Sequence, residues 1–140
     1  MPATSGQHTR GLRGQRGSAI VEFTLVSLMF FALVFGLVEF GRALFAYSTV
    51  SSAAREGVRY ASVHGSDSKS PASKEDIRNY VLRKTVGLNY VTVGVSWQPD
   101  NKPGGTVRVQ VWYTFRPMIP RLLLFKSVLM QSTSYMVVVH

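Results

Sequence analysis

Between Phe23 and Val38 the chain runs sixteen residues, FTLVSLMFFALVFGLV, without a single charge. Widened to Ser18–Phe40 the run holds 23 residues, and Glu22 and Glu39 are its only ionisable side chains. At a rise of ~1.5 Å per residue, a helix of that length matches the ~30 Å of a bilayer hydrocarbon core. Apolar residues fall on every side of this helix, so no polar stripe is left to face water. The alternative home is the interior of a soluble protein, but the rest of a 140-residue chain is too small to wrap it. The expectation is a single-pass, membrane-inserted protein.

Orientation is less strongly marked. Arg10, Arg13 and Arg16 precede the run and Arg42, Arg55 and Arg59 follow it, so the count of basic residues is nearly tied. The short, acid-free leader favours an N-terminus in the cytoplasm and a C-terminal domain outside the cytoplasmic membrane. A secretory signal peptide would share the basic start and the apolar run. Against it, the run is long, and Ala43 and Ala46 miss the Ala-x-Ala spacing.

The remainder reads as one small domain. Residues 1–17 form a basic leader without apolar periodicity, expected to lack structure. Residues 18–61 read as one helix, with the membrane span at about 20–40. Beyond the span Leu37, Phe40, Leu44, Tyr47, Ser51, Ala54, Val58 and Ala61 recur every three or four residues, a weak stripe suited to packing on another helix. Residues 62–140 are expected to form an extracytoplasmic α+β domain. In it, Ser73 with Glu75 and Asp76 starts a second helix, Arg83 and Lys84 sit in its last turn, and Gly87 closes it. The period then changes to two. Tyr90–Trp97 and Thr106–Phe115 alternate as strands of an antiparallel hairpin, with Val128–Val139 a third strand. Val91, Val93, Val95 and Trp97 share one face, as do Val107, Val109, Val111 and Tyr113. Between the last two strands, Arg121–Phe125 reads as a helical turn or an apolar loop.

Enzyme chemistry finds little support. Zero cysteines exclude a disulfide framework, a thiolate zinc site and a cysteine nucleophile. His8, His64 and His140 share no metal-site spacing, and neither a phosphate-binding Gly-x-x-x-x-Gly-Lys-Ser/Thr loop nor a His-Glu-x-x-His pair occurs. No enzyme activity, cofactor or metal is expected. The net charge of +9 invites a nucleic-acid reading, but outside the leader the basic residues are scattered. Trp97, Trp112, Tyr113, Arg108 and Arg116 are the residues a DNA-binding role would use; Trp97 and Tyr113 read more readily as core.

Three local patterns carry the functional signal. In Gly17-Ser-Ala-Ile-Val-Glu-Phe23 a basic leader ends in Gly17 and Glu22 lies inside the apolar run. A carboxylate there costs on the order of 2–3 kcal/mol at a helix centre and less near the interface, so either it snorkels or a partner offsets it. Were the bond after Gly17 cut, Ser18 would present a cationic amine, and Glu22 would be the fifth residue of the new chain, available to the amine of a neighbouring subunit. In Gly36-Leu-Val-Glu-Phe-Gly-Arg42, Glu39 and Arg42 are spaced to pair on one helix face, Ala32 and Gly36 are a small-xxx-small pair that lets helices approach, and Gly41 adds another small position. In Ala53-Ala-Arg-Glu-Gly-Val-Arg-Tyr-Ala61, Arg55, Glu56 and Arg59 form either a solvated helix face or contacts to other subunits.

In order and spacing these three patterns resemble the TadE-like pseudopilin family, minor pilin-like components of the tight adherence (Tad) machinery that builds Flp pili, a branch of the type IV pili. The resemblance is dense over Arg16–Val63. It implies a prepilin peptidase cutting between Gly17 and Ser18, and a role for Glu22 in processing or assembly. It also implies other pilins or pseudopilins and the assembly platform as partners. Phe23 follows Glu22 as in the pseudopilins, where major Flp pilins have tyrosine, and the long C-terminal region departs from those very short shaft subunits. A plain membrane anchor whose outer domain binds a partner, and a DNA-uptake pilin, are the competing readings.

Overall fold

The computed structural model describes residues 12–118 and 126–139, with side chains from Gly17 onward. The chain divides between Val38 and Glu39 into two units. The first is carried by the start of a 52-residue helix, α1 (Leu12–Val63). From Gly17 to Val38 every side chain is exposed or half-exposed, and the helix is long and apolar enough to cross a membrane. Leu12–Gly17, expected to lack structure, is helical. Once a helix is nucleated, adding a turn is inexpensive, and Leu12, Arg13, Gln15 and Arg16 are good helix formers. The disorder expected for residues 1–11 and the turn or loop at Arg121–Phe125 lie outside the described residues.

The second unit begins at Glu39 and takes in the C-terminal half of α1. With it are α2 (Lys74–Lys84) and an antiparallel sheet in the order β1 (Thr92–Gln98), β2 (Thr106–Phe115), β3 (Val128–Val137). The architecture is α+β, as the periodicities require. Helix α2 starts with a capping box: Asp76 N–H donates to Ser73 Oγ at 3.2 Å and Ser73 N–H donates to the Asp76 carboxylate at 2.9 Å. The Ser73 hydroxyl, donating at 2.6 Å, and then the Ser73 backbone N–H hold the Asp76 carboxyl below its ordinary range. After Thr85 the chain turns through Gly87, whose φ of 81° favours glycine.

Alternation along β2 turns Val107, Val109, Val111 and Phe115 inward. Val93, Val95 and Trp97 of β1 lie opposite Val111, Val109 and Val107, so the face expected of each strand is the observed one. Ile77 and Val81 of α2 and Val138 complete the core. The helix contributes Val50, Ala53, Ala54, Val58 and Ala61. This corrects the first half of the expected stripe, because Leu37, Phe40, Leu44 and Tyr47 are exposed, while Ala54, Val58 and Ala61 are buried as expected. Nor does the stripe serve a helix pair alone, since its small residues admit both the sheet and α2. A Cβ at Gly57 would strike Val81 Cγ2 and lie 3.2 Å from Val109 Cγ1.

The unit is closed by bonds between distant residues. Val138 N–H donates to Gly105 O at 2.8 Å, and Val139 N–H donates to Ser62 O at 2.9 Å.

Candidate functional site

Gly17, Ser18, Glu22 and Phe23 all lie on α1 with exposed side chains. A Cβ at Gly17 would meet nothing within 4 Å outside its own helix. Gly14 and Gly17 each weaken helix by about 1 kcal/mol relative to alanine, which makes local unwinding around the bond between Gly17 and Ser18 inexpensive. Thr24 Oγ1 donates to Ile20 O at 2.8 Å, a local bond that leaves Glu22 alone. Among the described residues no hydrogen bond or ion pair satisfies the Glu22 carboxylate. Ala32 and Gly36 are half-exposed, Gly41 is exposed, and a Cβ at either glycine would have open space.

Glu39 behaves in the opposite way. It is 7% exposed, its Oε2 lies 2.8 Å from Arg42 Nη1, and its Oε1 accepts the backbone N–H of Met118 at 2.7 Å. The Arg42 guanidinium also lies 5.5 Å from the centre of the Phe115 ring. The pairing of Glu39 with Arg42 follows from their spacing. The bond to Met118, 79 residues further on, has no local signal, because nothing in the sequence around Pro117 distinguishes an N–H that will find a carboxylate.

On the next turns, Arg59 Nη2 lies 3.3 Å from Glu56 Oε2, and the same oxygen accepts from the Tyr80 hydroxyl at 3.4 Å. Arg55 Nη2 donates to Ser52 Oγ at 3.5 Å and is otherwise exposed. These are exposed or half-exposed pairs, worth little to stability by themselves. Arg55 and Arg59 border a cleft of about 510 Å³ whose other wall is Ser134–Met136 of β3.

Compared with known families, residues 17–59 match the profile described as TadE-like protein. Over those residues the chain is similar to the TadE-like family. Neither a curated protein nor a solved structure matches it. The TadE-like segment holds the cleavage, assembly, packing and inter-subunit candidates from Gly17 to Arg59, and ends before α2 and the sheet. Its N-terminal part is open on all sides, whereas from Glu39 onward it serves the fold of its own domain.

The aromatic and basic residues that a DNA-binding role would use lie outside the TadE-like segment and are split between faces. Trp97 and Tyr113 pack against the core. Trp112 lies on the opposite face, where its ring occupies the space a Cβ at Gly94 would need, and Arg108 stacks 5.6 Å from the centre of the Tyr135 ring. They form no single track for a strand. No cluster of three or more potential metal ligands occurs among the described residues.

Proposed function

We propose that this chain is a minor pilin or pseudopilin of a Flp-type, tight-adherence pilus, cut by a prepilin peptidase between Gly17 and Ser18 and assembled through its N-terminal helix. The observation that carries this reading is the state of Gly17 and Glu22. Within the TadE-like segment, nothing outside its own helix crowds the glycine and the carboxylate has no partner among the described residues, at the start of a helix apolar enough for a bilayer. Cleavage would create an α-amine of ordinary pKa near 8, protonated at neutral pH. Paired with Glu22 of an adjacent subunit, that amine would offset the cost of a carboxylate in hydrocarbon. In this reading the N-terminus faces the cytoplasm, Glu39–His140 lies outside, and Ala32, Gly36 and Gly41 admit a neighbouring helix. The role is non-catalytic.

N-terminal sequencing of the membrane form should begin at Ser18, and Gly17→Leu should accumulate uncut. Identical mobility of Gly17→Leu and wild type would remove the cleavage step. Glu22→Ala distinguishes assembly from anchoring. A plain anchor gains from losing the carboxylate, by on the order of 1–3 kcal/mol of insertion. An assembly subunit loses a buried partner, a penalty on the order of 3–5 kcal/mol. The expected variant is cut and membrane-bound but does not co-purify with other pilins. Normal co-purification and normal pili would leave the plain anchor as the better description.

A further inference from the structure

Strand β3 (Val128–Val137) ends the sheet on one side, and half of its backbone N–H and C=O groups point away from β2. Among the described residues no other backbone pairs with them. Edges of this kind are ordinarily blunted by charge, proline, a bulge or brevity. The opposite edge is blunted in that way: β1 has seven residues, runs into Pro99, packs against α2 and has Lys74 over the Trp97 ring at 5.5 Å. Strand β3 is not. It is ten residues long, and from Ser127 to Val139 there is no charge, no proline and no glycine.

The helix-side face of β3 is also poorly covered. Ser134 and Met136 stand opposite Val109 and Val107, which are fully buried, whereas Met136 is 40% exposed and Ser134 is half-buried. The cover that α1 and α2 give the sheet therefore ends at β2. Beyond it lies the cleft of about 510 Å³ between β3 and α1, whose charged groups are Arg55, Arg59 and Glu56. Glu56 is held by Arg59 and by the Tyr80 hydroxyl, while Arg55 has only its 3.5 Å bond to Ser52. On the other face of β3, Tyr135 lies against the Arg108 guanidinium, whose buried Nε has no hydrogen-bond partner among the described residues. From Asn101 to His140 the sequence has five basic residues and no acid. The edge is thus uncharged along its length and cationic on both flanks.

We propose that β3 is a docking edge for an extended segment of another protein, which adds as a fourth strand and turns acidic side chains toward Arg55 and Arg59. Backbone hydrogen bonds supply the attachment, and the side chains on the α1 side supply the selectivity. The two arginines are about 6 Å apart along the helix, and alternate residues of a strand are about 6.6 Å apart, so acids two residues apart reach both. A second copy of this chain fits less well. Its own β3 has no acid to offer, and pairing two such edges would set like charges against each other. The surface lies wholly within the second unit and requires neither cleavage after Gly17 nor a membrane.

The probe is a fluorescein-labelled peptide of alternating glutamate and valine, as long as β3, titrated against the full chain in nonionic detergent and followed by anisotropy. A lysine–valine peptide is its counterpart. Two further versions of the acidic peptide carry backbone N-methyl groups, one on every glutamate and the other on every valine. In an added strand the N–H groups of alternate residues face the edge, so methylation harms one version and spares the other. Expected is binding of the acidic peptide and none of the basic one, with loss in one methylated version only. Arg55→Ala combined with Arg59→Ala should weaken the acidic peptide about tenfold or more, with the thermal melt unchanged. Equal binding of both methylated versions overturns strand addition, and undiminished affinity in the double variant overturns the role of the arginines. An acidic peptide that does not bind overturns the proposal as a whole. So does ready disulfide formation between Ser134→Cys copies that the peptide fails to suppress, which in a chain without other cysteines would make a second copy the occupant.

Discussion

The two halves of α1 share one backbone and almost nothing else. From Gly17 to Val38 large side chains such as Phe30, Leu33 and Phe35 point outward all round and none is buried. From Val50 to Ala61 the side chains that matter are small, and one face of them is sealed under the sheet and α2. Apolar content therefore does not distinguish a helix that supports a core from one that seeks a different solvent. Size and sidedness do: large residues on all sides leave a helix with no partner in its own chain, and small residues on one side let a sheet come close. The two carboxylates near the ends of the apolar run make the same contrast. Glu39 is satisfied twice by its own domain, whereas Glu22 finds no partner among the described residues.

Paired substitutions can break or sharpen this contrast. Ile77→Ala, in the core against the second half of α1, should lower stability by about 3 kcal/mol in denaturant titrations followed by the fluorescence of Trp97 and Trp112. Leu28→Ala should move the same transition by less than about 0.5 kcal/mol. Equal shifts would mean that the two halves fold as one unit. Next in size, Gly57→Val should cost about 2 kcal/mol through its clash with Val81 and Val109. Gly36→Val should leave the melting temperature in place and alter only association between chains in lipid. Glu39→Ala frees the Met118 N–H and Arg42 together and should cost about 1–2 kcal/mol. Glu39→Gln, which keeps an acceptor oxygen, should recover much of that loss, and failure to recover would place the effect in the charge pair. The smallest effect is a pH dependence at the α2 cap. The Asp76 carboxyl is held below its ordinary value by Ser73, so its contribution is complete above the unfolded pKa of about 3.9 and is lost as pH falls through the lower folded value. Asp76→Asn should therefore destabilise slightly at neutral pH and match wild type in acid, as thermal melts at the two pH values would read.

Much of this was legible from residues alone, because the signals are local. Strand β2 runs over Thr106–Phe115 as its alternation requires, and the Ser73–Asp76 box starts α2 where its polar residues fall. The buried face of α1 was legible only in part: Ala54, Val58 and Ala61 lie in the core as the expected stripe has them, whereas its four larger members do not. Leu37, Phe40, Leu44 and Tyr47 dominate any hydrophobic periodicity, and Ala53, Ala54 and Gly57, which let the sheet approach, add little to it. The candidate site divides the same way. Gly17 and Glu22 stand out by spacing, while the hold of Glu39 on Met118 depends on a chain reversal that no local pattern encodes.

The bond from Val139 to Ser62 and the burial of Val138 have a consequence for biogenesis. The face of α1 made by Val50, Ala54 and Val58 leaves the ribosome long before the residues that close over it. At about 5–20 residues per second, the stretch from Ser62 to Val139 takes on the order of ten seconds to synthesise. Through that interval the nascent domain has a committed helix and an uncovered flank, and non-local pairing of this kind forms slowly even once the chain is complete. A holding factor that shields an emerging apolar flank would find its substrate here, and substitutions that weaken β3 would prolong the exposure before they altered the finished protein.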